Sequence, residues 1–142
     1  MKDWLHPFLH QQRVAHLAAV DEHHRPHVVP IVHAFDGERL CTPIDARPKQ
    51  VGAQRLRRVR NIQANPEVTV LVDHYEEDWR RLAWVQLRGA AVLVASGQEQ
   101  ETGISLLEAK YPQYAEMPLA GRPIIVVTVE DVVSWRADEA IH

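Results

Sequence analysis

Residues 40–75, LCTPIDARPKQVGAQRLRRVRNIQANPEVTVLVDHY, decide how this chain is read. A short apolar run, Leu40-Cys41-Thr42, leads into a turn that carries Arg47 and Lys49. A basic helix is predicted to follow, because Leu56, Val59 and Ile62 recur at helical spacing and turn Arg57 and Arg60 to the other side. Asn65-Pro66 stops that helix, and a second apolar strand begins at Val68. A strand-end hydroxyl, two cations on a turn and the amides of a helix N-terminus are one way to build a phosphate site.

Charge supports an anionic ligand rather than a polyanion. The chain carries a net charge of −3 with histidines neutral, which argues against a general role on nucleic acid or at a membrane surface. Yet Arg47, Lys49, Arg55, Arg57, Arg58 and Arg60 fall together in one short stretch. The same cluster also fits a solvated helix face. A length of 142 residues suits a single domain, here 1–142, with one core. The lone cysteine, Cys41, excludes an internal disulfide framework and reads as a small buried residue in an apolar strand. With no run of about 18 apolar residues and a polar N-terminus, the expectation is a soluble, cytoplasmic protein.

Outward from the central stretch, breakers and alternation divide the chain. Asp3 is expected to cap a short helix in which Trp4, Leu5, Phe8 and Leu9 share a face. Strands are predicted over 13–20, 28–35, 39–43, 68–75, 82–95 and 124–135, with a further helix over 104–110 ended by Pro112. Asp36-Gly37 is a hairpin signal between the second and third strands. Six or so antiparallel strands with two or three short helices point to a mainly β protein. A closed or partly closed barrel would remove its exposed edges.

The pattern resembles the FMN-binding split barrels, proteins like pyridoxamine 5′-phosphate oxidase. These carry a strand ending in Tyr-Thr-Asn, then Ser-Arg-Lys, a helix, Asn-Pro and an apolar strand. The corresponding residues here are Cys41-Thr42-Pro43, Arg47-Pro48-Lys49, Asn65-Pro66 and Val68 to Val72. Within that family the segments RVAHLAAVDEHHRPHVVPIVHAFDG, DARPK and DHYEEDWRRLAWVQLRG are similar to a class dependent on the deazaflavin coenzyme F420. The resemblance implies a split β-barrel homodimer with the cofactor at the subunit interface, acting as an oxidoreductase on a small organic substrate. Coenzyme F420 is the implied cofactor and FMN the alternative; a non-catalytic flavin- or deazaflavin-binding protein is the reading from a different class.

Carried over residue by residue, the resemblance implies that Val29, Pro30 and Ile31 line the flavin ring and that Thr42 approaches the phosphate. It makes Arg47 and Lys49 the two cations and sets Asn61 beside the cofactor. Trp84 and Trp135 match positions that contact the ring from the partner subunit. Three departures bear on ligand choice. Val28 stands nearest to the oxidase's second-strand phosphate arginine, so a compact FMN phosphate loses a donor. The C-terminal Arg-Leu-His-Asp-Arg substrate element is absent, which argues against pyridoxamine phosphate as substrate. Pro48 interrupts the Ser-Arg-Lys pattern.

Other chemistry finds less support in the sequence. Nine histidines are present, but none in a metal-binding HxxEH or HExxH arrangement, so no metal is assigned. Glu76-Glu77-Asp78 reads as a solvated loop, since three adjacent carboxylates would repel in a dry site. No residue announces itself as a catalytic acid or base.

Overall fold

The computed structural model describes residues 1–44 and 56–139. Its frame is one antiparallel sheet of seven strands. In chain order these are β1 (Ala15–Val20), β2 (Pro26–Ile31), β3 (Ala34–Phe35), β4 (Arg39–Pro43), β5 (Glu67–His74), β6 (Ala83–Val94) and β7 (Ile124–Arg136). The sheet order is β2-β1-β5-β6-β7-β4-β3. Among the described residues three α-helices accompany it: α1 (Leu5–Gln11), α2 (Arg57–Ala64) and α3 (Gln98–Lys110). The sheet curls into a half barrel, the split-barrel architecture expected from the sequence.

Curvature enters through β6 and β7, the two longest strands. Their register shifts between Arg88 and Gly89. A β-carbon on Gly89 would stand 1.9 Å from the Thr128 carbonyl oxygen, so only glycine lets the two backbones approach there. Beyond this bulge both strands continue, which allows β7 to pair with β6 on one side and β4 on the other.

Period-two alternation fills the barrel. Leu17, Val70, Val72, Val85, Leu87 and Val127 point inward, and α1 and α2 close the core with Leu5, Leu9, Val59 and Ile62. The valines and alanines of β1, β5 and β6 thus face mainly into the barrel. The outer face carries His16, Ala18, Val20, Thr69, Gln86 and Arg88 among its residues. Strands β3, β4 and the start of β7 are buried on both sides. On one side Leu40, Ile125 and Val127 join the barrel core. On the other Cys41, Ile124 and Val126 pack under Ile104 and Leu107 of α3. Double coverage explains the buried run Leu40 to Ile44, apolar except for Thr42, and the apolar run Ile124 to Val127.

Several boundaries differ from the sequence reading. The strand expected over 28–35 breaks at Val32-His33, because the His33 amide leaves the ladder and donates to the Tyr111 hydroxyl at 3.1 Å. Helix α1 is capped by Trp4 rather than Asp3, with no side-chain cap, although Leu5 and Leu9 are buried as expected. Helix α3 begins at Gln98, six residues before the predicted start. Asp36-Gly37 does form the hairpin: the Asp36 carboxylate accepts from the Glu38 and Arg39 amides at 2.9 and 2.7 Å, and Gly37 has φ 107°. Among the described residues no helix is long and apolar enough to cross a membrane.

Candidate functional site

Strand β4 ends at Pro43, next to the end of β2 and the first turn of α2, and a cleft of about 230 Å³ opens where they meet. Pro30 and Ile31 from β2, Thr42 and Pro43 from β4, and Arg58 from α2 line it. Val14, Val32 and Tyr114 complete its wall. Three sequence-selected residues, Pro30, Ile31 and Thr42, are therefore brought together. Thr42 is buried yet forms part of the wall, because it lies in the doubly covered part of β4.

Helix α2 supplies the polar side of this region. Val59 and Ile62 anchor it in the core, which directs Arg57 and Arg60 to solvent. Arg58 and Asn61 flank the buried stripe instead. The Arg58 Nε and the Asn61 Nδ2 atoms are buried and have no hydrogen-bond partner among the described residues. Buried donors of this kind cost about 1–3 kcal/mol each unless something accepts from them. Asn61 is not part of the cleft wall, although it lies one helical turn from Arg58. Arg58 was passed over in the sequence as one of several helix-face arginines. Its position beside the Leu56-Val59-Ile62 stripe was the available signal.

The remaining candidates are placed differently. Val29 points inward, opposite Leu17, and belongs to the barrel core rather than the cleft wall. Trp84 and Trp135 are direct partners across β6 and β7 and lie half-buried on the outer face, away from the chain's own cleft. Register relates them to it: His16 faces Pro30 on one side and Leu71 on the other, and Leu71 faces Gln86. Trp84 is the next outward-facing residue along β6 from that row. Arg47 and Lys49 lie outside the described residues.

Behind the cleft is a buried polar group that the sequence did not announce. The Lys110 ammonium donates to the Leu9 carbonyl at 3.1 Å and lies 3.5 Å from His33 Nε2. Desolvation, with the nearby Lys110 charge, pushes His33 down to about 3, so its ring is neutral. Desolvation, helped by Arg13, lowers Lys110 to about 8. The Tyr111 hydroxyl donates to the Arg13 carbonyl at 2.8 Å while accepting from the His33 amide. Its proton is committed to structure.

The side chains set aside in the sequence mostly behave as structural groups. Burial raises the Cys41 thiol to about 12, and its one S–H has the carbonyls of Ala34 and Gly103 as acceptors in reach. Glu76 is more engaged than a solvated loop residue, pairing with His74 at 2.6 Å and Arg81 at 3.3 Å. Asp78 caps the turn over Trp79–Arg81 by accepting from the Arg80 amide. Among the described residues no group of three His, Cys, Asp or Glu side chains is placed to hold a metal.

Comparison with solved structures finds the same fold at low identity. A conserved hypothetical protein of Mycobacterium tuberculosis superposes with a TM-score of 0.79 at 15% identity, covering 100% of this chain and 89% of that one. The heme storage protein HutZ of Vibrio cholerae gives 0.71 at 16% identity over 95% and 93% of the two chains. A FAD-binding protein of Mesorhizobium loti gives 0.69 at 17% identity over 94% of each. No curated protein matches the sequence. The family model for pyridoxamine 5′-phosphate oxidase matches residues 1–136, nearly the whole length, and the chain belongs to that family.

Proposed function

We propose that this protein is a homodimeric oxidoreductase that binds coenzyme F420 in the Pro30–Thr42–Arg58 cleft and passes hydride between that deazaflavin and a small organic substrate. The observation that carries the reading is the cleft itself. It joins apolar strand backbone at Pro30 and Ile31 to the Thr42 end of β4 and the Arg58 guanidinium, with no carboxylate among its described lining residues. A flat apolar ring with an anionic tail needs this combination. The segment joining the two sides of the cleft, 45–55, adds Arg47, Lys49 and Arg55 to the same stretch of chain.

The residues present fit the anionic end of such a group, and a cleft of about 230 Å³ leaves the rest of it to be covered by the partner subunit. Arg58 has a buried donor with no partner among the described residues, and an anion would accept from it. When bound, the deazaflavin supplies two-electron hydride chemistry. The chain's part is to hold the anionic end with Arg58, Lys49 and Arg47, and to keep water from the ring with Pro30 and Ile31. Trp84 and Trp135 of each subunit are proposed to cover the site of the other.

FMN is the second reading. The loss of a second-strand arginine at Val28 favours the deazaflavin, whose phosphodiester and extended tail spread their charge. The test of activity is oxidation of reduced coenzyme F420 by a panel of electron-poor metabolites. Acceptor-dependent oxidation that disappears in Arg58→Ala would support the reading. Tight binding with no turnover of any acceptor would make the protein a cofactor-binding module.

A further inference from the structure

Val14, Val32 and Tyr114 wall the cleft on one side, and the same three residues wall a second, larger chamber of about 530 Å³. Tyr111, Pro112 and Met117 complete its lining, open to solvent on one side, and Arg13 is the one charged residue among its described lining. A volume of this size holds a small organic molecule. The two spaces adjoin through these shared residues but are chemically distinct: Thr42 and Arg58 mark the first, while hydrocarbon and ring surface dominate the second.

The Arg13 guanidinium is held in place. Its Nη1 donates to the Lys110 carbonyl at 2.6 Å, and its carbon lies 5.3 Å from the Tyr111 ring centroid. Tyr111 is itself fixed through both bonds of its hydroxyl. One guanidinium nitrogen is thus committed and the others remain for a ligand. No aspartate or glutamate is among the described lining residues of either space. That is a local property in a chain with 19 acidic residues against 16 Lys and Arg. A third cleft is lined by Glu67, Glu130 and Asp131, and a fourth by Asp36 and Glu99.

We propose, resting on the cofactor reading above, that this chamber is the acceptor pocket and takes an apolar, ring-bearing molecule with one carboxylate or comparable anionic group, which Arg13 holds. Anionic molecules are preferred over neutral ones of the same shape because they gain a charge-assisted bond to the exposed Arg13, and cationic ones are repelled by it.

Calorimetric titration of the protein with 2-naphthoate and with uncharged 2-naphthamide tests this, without cofactor and with saturating coenzyme F420. Naphthoate is expected to bind at least about tenfold more tightly than the amide, the factor that about 1.4 kcal/mol of charge-assisted bonding supplies. Arg13→Gln should erase that preference while leaving amide binding unchanged. Met117→Trp, a substitution at an exposed position, should weaken both probes by filling the chamber. Saturating coenzyme F420 should leave naphthoate affinity within about twofold. Equal binding of the two probes, binding of neither, or an unchanged preference in Arg13→Gln overturns the proposal. Displacement of naphthoate by coenzyme F420 also overturns it, since the chamber would then belong to the cofactor. Naphthoate selectivity without any binding of coenzyme F420 would instead reject the cofactor reading and uphold the anion pocket.

Discussion

Arg57, Arg58 and Arg60 look interchangeable in sequence, but the helix assigns them different work. Arg57 and Arg60 face solvent, whereas Arg58 enters the cleft with a buried Nε. Arg58→Ala should therefore weaken cofactor binding by about 1.5–3 kcal/mol, the usual loss for a charge-assisted contact, and Arg57→Ala should do little. Lys49→Ala is expected to follow Arg58→Ala if the turn cations are correctly assigned. Equal effects of Arg57→Ala and Arg58→Ala in a binding titration would overturn this division. Behind the cleft, His33 makes a pH prediction. Its folded-state value of about 3 lies below the unfolded 6.5, so between those limits the unfolded chain binds more protons. The neutral ring's contribution is complete above about pH 6.5 and is lost as pH falls toward 3, at no more than about 1.4 kcal/mol per pH unit. Lys110, at about 8 instead of 10.5, adds a rise in stability as pH increases through that higher window. Melting curves of the protein and of His33→Leu should differ in slope below pH 6.5; identical slopes would contradict the assignment.

At the level of elements, the chain was legible where punctuation and periodicity agree. Asp36-Gly37 fixed the β3–β4 hairpin, Asn65-Pro66 ended α2, and alternation from Val68 marked β5. Helix α3 was read too short because its first turns, Gln98 to Gly103, are polar or glycine and show no apolar stripe. The β2–β3 break was hidden because His33 leaves the ladder for Tyr111, a partner 78 positions away. Long-range assembly likewise explains why the cleft was only half visible. Pro30, Ile31 and Thr42 came from local pattern and resemblance, whereas Tyr114 and the Arg13–Tyr111 bond, 98 positions apart, have no local signature. The bulge in β6 is the most exacting contact between elements. Gly89→Ala must move a backbone carbonyl that a β-carbon would reach at 1.9 Å, so it should cost at least about 2–4 kcal/mol in urea denaturation. A loss below about 1 kcal/mol would mean that β7 yields easily there.

For the whole molecule the account turns on a second subunit. Trp84 and Trp135 are paired on the outer face of the sheet and Val28 is exposed there, so a symmetric dimer would bury them and bring each subunit's tryptophans toward the other's cleft. Sedimentation at micromolar concentration should give a dimer that Trp84→Arg shifts toward monomer; a strictly monomeric protein would end the shared-site geometry. The central claim is the identity of the bound ring, and fluorescence titration of cofactor-free protein tests it most directly. Coenzyme F420 and FMN are each titrated at low and at moderate salt. The account predicts tighter binding of coenzyme F420, with affinity that falls as salt rises because exposed tail contacts are screened. Tighter binding of FMN, or protein that purifies yellow from a host lacking the deazaflavin, would contradict it.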